Sequence, residues 1–220
     1  MVFALWILLS GFGVGVTLHR LLAHKSFKTS LAMKDMLSFV ACLCVQGSPI
    51  FWVNVHRGYH HKFADQQADI HSPIHGKWWS YMLWTIFVKP ESLSYKSVTD
   101  LARDKWQIFL NKYYFHIIWA IWIWAYIYGT DILFTLVIAQ LITMHLEFCV
   151  NLFCHTKLPF SYRNFDTKDN SVNYWLFGIL CWGIGFHNNH HAKPNSYDFG
   201  SKPREIDFTK YLVRMVKTDV

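Results

Sequence analysis

Five apolar blocks punctuate the chain: Met1 to Leu18, Met36 to Val55, Tyr113 to Tyr128, Ile132 to Phe153 and Asn173 to Phe186. The first carries no charge, and about 18 residues at 1.5 Å each just cross a hydrocarbon core. Its Gly11, Gly13 and Gly15 predict close packing against another helix. A basic start and a small-residue cleavage site are missing, so it does not read as a signal peptide. The second block is interrupted by Gln46-Gly47-Ser48-Pro49, which predicts an interfacial or re-entrant segment. Only Gly129-Thr130-Asp131 joins the third and fourth blocks, so these predict an antiparallel helical hairpin. The fifth, about 14 residues long, is short for a span and predicts a buried or interfacial helix. Residues 62 to 112 and the tail from Ala192 are polar, and the tail closes on an amphipathic stretch, Phe208 to Val216.

Charge sharpens this picture. All 21 Lys and Arg lie outside residues 1–19 and 113–156. The positive-inside rule then makes one face cytoplasmic, with the N-terminus on the other side. The expectation is a single all-α integral membrane domain over residues 1–220. Its spans are about 1–18, 113–129 and 131–152, and a cytosolic helical cap comprises 19–112 and 153–220. The net charge of +7 is spread along the cap rather than gathered as a nucleic-acid face. Eleven tryptophans suit interfacial belts, and five cysteines in apolar runs without a CxxC read as free thiols.

The chemistry lies in the histidines. Eight of thirteen fall into three short boxes: His19 with His24, His56 with His60 and His61, and His187 with His190 and His191. Neutral imidazole suits iron, copper, zinc and nickel. Eight ligands exceed the three or four that a zinc site takes. Two irons, each held by four or five imidazoles, account for the count. All the boxes must then share one face of the membrane, which is why the second block cannot cross once.

His19-Arg-Leu-Leu-Ala-His24, His56-Arg-Gly-Tyr-His-His-Lys-Phe-Ala-Asp65, Asn151-Leu-Phe-Cys-His155 and Gly185-Phe-His-Asn-Asn-His-His-Ala-Lys-Pro194 together resemble the membrane fatty acyl desaturases of the delta-9, stearoyl-CoA desaturase-like group. The resemblance extends over nearly the whole chain and in the expected order. It implies a di-iron site with nine ligands: His19, His24, His56, His60, His61, His155, His187, His190 and His191. It also places Asn151 at a metal-bound water. The implied reaction is oxygen-dependent formation of a cis double bond, expected at the delta-9 position, in a saturated acyl chain carried on lipid or CoA. O2 is the co-substrate, and electrons come from a separate ferredoxin or cytochrome b5. A histidine-rich membrane hydroxylase, or a lipid-binding relic without activity, would share the ligand pattern.

Three departures from that group stand out. The second box is HxxxHH, which spreads its trio over about 140° of an ideal helix and predicts a local π-bulge. The group usually has a further span before the one that leads into the first box, and the sequence starts too late to include it, while Ile184 stands where a glutamate is common. Asn54 and Val55 also replace the arginine and acidic residue expected before the second box of acyl-CoA enzymes, which points to an acyl-lipid substrate. Glu147, with Asn151 and His155 on one helical stripe, reads either as a carboxylate orienting a ligand imidazole or as a partner for His145. His71 and His75 read as loop residues, because Pro73 separates them, and His116 and His145 as packing or hydrogen-bonding groups.

Overall fold

The chain folds around its N-terminal helix, α1 (Val2–Ala23), in a computed structural model that describes residues 1–218. The first turn, Val2–Trp6, is α-helical, whereas Ile7–Ala23 is wound more widely, with i→i+5 bonds such as His24 N–H to the His19 carbonyl at 3.0 Å. Side chains reinforce that winding. Thr17 Oγ1 donates to the Phe12 carbonyl and Arg20 Nη1 to the Gly15 carbonyl, each five residues back. The helix therefore runs past the expected end at Leu18 and carries the whole first box.

Its glycines are where neighbours come closest. A Cβ on Gly13 would lie 2.3 Å from Cys44 Sγ, and one on Gly15 would lie 2.9 Å from Thr209 Oγ1. Helix α2 (Leu31–Cys42) starts at Ser30, whose hydroxyl caps the Met33 N–H. It ends in a turn where Val45 adopts φ 58°, a strained conformation for a β-branched residue. Helix α3 begins with Ser48 as its cap and Pro49 in its first turn. It continues from Pro49–Val53 through the wide turns of Asn54–His60 into His61–Phe63. The second apolar block is thus two short helices rather than a span, as its interrupting polar residues predict.

Helix α4 follows as Trp79–Leu83 and Trp84–Phe87, and α5 (Lys105–Lys112) is capped by Asp104. The hairpin forms as α6 (Tyr114–Tyr128) and α7 (Thr130–Phe153). Gln140 ties it together, accepting from Trp122 Nε1 and donating to the Leu43 carbonyl after α2. Helices α1 and α7 are long and apolar enough to cross a membrane, whereas α6 has 15 residues and is shorter than the expected span 113–129.

The fifth block is helical only over α8 (Trp175–Leu180), then turns back through a positive-φ Trp182 and Gly183. Helix α9 (His187–Ala192) is the third box, and α10 (Thr209–Val216) lays its apolar face on α1. No strand forms among the described residues. Two isolated bridges, Tyr162 with Asn173 and Asn173 with Phe186, hold the long connection after α7.

Candidate metal centre

Wide winding brings the first two boxes into register. At about 4.4 residues per turn, an i, i+5 pair lies only about 50° apart around a π-helix, against about 140° on an α-helix. His19 on α1 with His24 at its C-cap, and His56 and His61 on α3, are such pairs. The π-bulge predicted for the second box is present over Asn54–His60.

All nine histidines named by the resemblance converge into two groups. His19, His24, His56, His61 and His190 bring one nitrogen each to within 4.8 Å of one another, and His60, His155, His187 and His191 do the same. Most of these rings are buried. Burial pushes the imidazole pKa down, to about 2 for His24 and well below the usual value for His56, His61, His187, His190 and His191. These rings are neutral at physiological pH, the form in which imidazole binds a metal.

The four-histidine group has a defined tautomer. Nδ1–H donates to Asp69 Oδ2 in His60 (3.0 Å), to Asp65 Oδ2 in His155 (2.8 Å), to Asp169 Oδ2 in His191 (2.9 Å) and to the Ile184 carbonyl in His187 (3.2 Å). Those partners accept hydrogen bonds, so each neutral ring leaves Nε2 bare. Yet His191 Nε2 lies 3.2 Å from His60 Nε2 and 3.1 Å from His187 Nε2, and His155 Nε2 is buried without a hydrogen-bond partner among the described residues. No proton is available to make these contacts hydrogen bonds. Lone pairs so close repel unless a cation lies between them. Ligand nitrogens about 2.1 Å from one metal, at right angles, stand about 3.0 Å apart. The donor set therefore fits a metal ion.

The five-histidine group is built differently. His24 and His56 approach through Nε2 at 2.9 Å, and His61 and His190 at 2.8 Å. Nδ1 of His19 and of His190 is buried with no hydrogen-bond partner among the described residues. Aromatic packing orients these rings instead. Trp52 stacks on His56 at 4.8 Å, and Phe199 lies 4.3 Å from His190 and 5.3 Å from His19. Behind Phe199 sits Arg20, its Cζ 3.8 Å from the ring centre. Arg20 is fully buried, paired with Asp207 at 2.7 Å and bonded to the Tyr197 carbonyl.

Several of these supports are not visible in the box pattern. Asp65 and Asp69 follow the second box closely but serve rings on two different segments, and Asp169 lies in a polar loop with no distinguishing signal. His71 sits in a turn, as expected of a loop residue, but is buried there, with its ring 4.5 Å from His60 and 5.2 Å from Trp84. It forms a further potential group with His60 and Asp69. His75 bonds the Asp69 carbonyl, and His145 pairs with the Tyr81 hydroxyl at 2.7 Å. Glu147 is buried with Oε1 unpartnered and makes no hydrogen bond to an imidazole among the described residues. The carboxylates that do orient rings are Asp65, Asp69 and Asp169. Asn151, half-buried on α7, stands one turn before His155.

A family profile described as fatty acid desaturase matches residues 1–199. The chain belongs to the fatty acid desaturase family. It is similar to Delta-9 acyl-lipid desaturase 2 of Arabidopsis thaliana, at 34% identity over 96% of this chain and 71% of the relative. The sn-2 palmitoyl-lipid 9-desaturase of Nostoc sp. (strain 36) is 32% identical, over 99% of this chain and 77% of that protein. The Acyl-CoA C20 Delta5-desaturase of Anemone leveillei is 31% identical over 98% and 69%. The family is one of membrane-bound oxidoreductases acting on fatty acyl substrates. These desaturases differ in both carrier and bond position at nearly equal similarity.

Proposed function

We propose that this desaturase forms a delta-9 double bond in acyl chains carried on membrane lipid. In this reading His19, His24, His56, His61 and His190 hold one iron, and His60, His155, His187 and His191 the other, with Asn151 positioning a bound water. The observation that carries it is the convergence of four bare Nε2 atoms whose Nδ1 protons are all committed elsewhere. When bound, a di-iron centre supplies the oxidising power to remove two hydrogens from a saturated chain at the expense of O2. Asp65, Asp69 and Asp169 hold three rings in the ligating tautomer. The packed aromatic shell keeps bulk water from the cluster.

Helices α1, α6 and α7 embed the protein, with the boxes on the cytoplasmic side and two electrons delivered by a separate ferredoxin or cytochrome b5. An acyl-lipid substrate is supported by Asn54, which is fully buried and accepts from Ser97 Oγ at 2.6 Å. Arg57 is also committed, to Asp100 and to the carbonyls of Leu22, Ala23 and Ser97. Neither side chain is available to a CoA phosphate. The test is expression in a desaturase-deficient host, with a pulse of labelled saturated fatty acid and separation of lipid classes. Labelled delta-9 monoene should appear first in glycerolipid. A hydroxylated product, or no product, overturns the desaturase reading, and monoene appearing first in acyl-CoA overturns the carrier.

A further inference from the structure

Seven residues beyond α7 the chain turns through Lys157-Leu-Pro-Phe160, and the Phe160 side chain stands 89% exposed. Its backbone lies at φ 68°, a left-handed conformation that is strained for a bulky residue. The antiparallel bridge between Tyr162 and Asn173 carries this turn back beside the start of α8. There Trp175, Leu176 and Ile179 are also exposed, at 39%, 54% and 48%. The other side of α8 is packed, with Phe177 stacked on Phe153 of α7 at 5.4 Å. Just past α8, Trp182 reaches down α1 to Trp6 at 5.0 Å, and a Cβ on Gly11 would lie 3.8 Å from it. His19 is eight residues further along α1 than Gly11, so the exit of α8 runs beside α1 before the level of the histidines, while α8 itself packs on the C-terminal end of α7.

We infer that the Phe160 turn and the outer face of α8 form a membrane-dipping edge, seated at the headgroup–acyl boundary of the leaflet where α7 emerges. This rests on the bilayer placement of α1 and α7 proposed above. Three features favour lipid over a protein partner. The patch packs against the C-terminal end of α7, a helix that exposes its own apolar residues Phe134, Ile138 and Leu141 nearer its start. Its composition, a tryptophan and a phenylalanine beside aliphatic residues, matches what partitions into a membrane interface. Exposed Lys157 and Arg163 flank the turn. A recess of about 360 Å³ behind Trp175, lined by Tyr162, Lys202, Pro203, Arg204 and Glu205, offers two further cations to a headgroup phosphate. Glu205 keeps its negative charge at the back of this recess, held by hydrogen bonds from Tyr162, Asn164, Asn189 and the backbone of Ser201 and Lys202, and is outnumbered there by the two cations.

The experiment places a nitroxide label on Phe160→Cys in the full chain, reconstituted in nanodiscs of phosphatidylcholine with phosphatidylglycerol. The five native thiols are buried or half-buried. Phe134→Cys on α7 and Lys168→Cys on the cap serve as hydrocarbon and aqueous references. The Phe160 label should be relaxed by oxygen more than by an aqueous nickel chelate, at a depth of about 5–10 Å. Equal nickel access at Phe160 and Lys168, with Phe134 protected, overturns the dipping edge alone. Nickel access at Phe134 as well overturns the bilayer placement and this inference together. Protection of Phe160 only on addition of a soluble electron-donor protein assigns the face to that partner and overturns the inference.

Discussion

Asp169→Asn is the sharpest probe of how the four-histidine group is held. Asp169 Oδ2 accepts from His191 Nδ1 at 2.9 Å, while Oδ1 accepts from the Ser171 N–H at 2.9 Å and from the Thr167 hydroxyl at 2.8 Å. An asparagine has one acceptor oxygen and one NH2, so it cannot serve both sides. With the NH2 toward Ser171, two donors face each other in a half-buried loop, and the charge assistance to His191 is lost. With the NH2 toward His191, the ring must accept at Nδ1, and its proton moves to Nε2. That proton then points at His60 and His187, whose Nε2 atoms lie 3.2 and 3.1 Å away. Loss of such a supporting partner costs roughly 10–100-fold in metal affinity, about 1.4–2.7 kcal/mol. His191 belongs to only one group, so the loss should be one-sided. Elemental analysis after dialysis against a chelator should find about two irons per chain in the parent and about one in the variant. Asp198→Asn, which touches Lys210 rather than a ring, is the control. Retention of both irons at parental chelator resistance would refute the reasoning, as would equal loss in the control.

Two further outcomes follow from ion pairs. Arg20→Met leaves Asp207 buried without its partner and should destabilise the protein by about 3–5 kcal/mol, read by thermal unfolding in detergent; an effect under about 1 kcal/mol would show that the pair is not needed. Asp100, between Arg57 and Lys25 at 2.8 Å each, is pulled up by burial but driven down further by their hydrogen bonds and charges, to about 2 from an ordinary 3.8. A depressed carboxylate contributes stability above pH 3.8 that disappears as pH falls toward 2. Asp100→Asn should therefore flatten the acid limb of stability over that window, and an unchanged limb would show that the clip makes no difference.

The helices were readable from the chain because their apolar runs are periodic, and the grouping of the nine histidines because they follow the motifs of the resemblance. Apolar blocks mark α1, α6, α7 and the broken α2–α3 segment, and the spacing of His56, His60 and His61 points to the local π-bulge that Asn54–His60 form. What could not be read depends on contacts between distant segments. Asp65 reaches His155 across 90 residues, and Phe199 covers His19 only because α10 and the preceding loop fold back along α1. His71 looked like a loop residue because Pro73 follows it. The turn is there, but it folds inward against His60. Of the stripe Glu147, Asn151 and His155, the first two lie on α7 and His155 falls in the turn just past its end, and the carboxylates that orient the rings come from elsewhere.

The wide winding of α1 and α3 bears on how related chains are recognised. A π-helical stretch is what an α-helix becomes when it absorbs an additional residue without breaking. The number of letters between two box histidines therefore measures helical pitch as much as it measures the metal cluster. Removing one residue between His19 and His24 while restoring α winding would leave the two rings facing the same way. A search that insists on one fixed interval between box histidines would pass over a chain that reaches the same ring geometry through a different helical pitch.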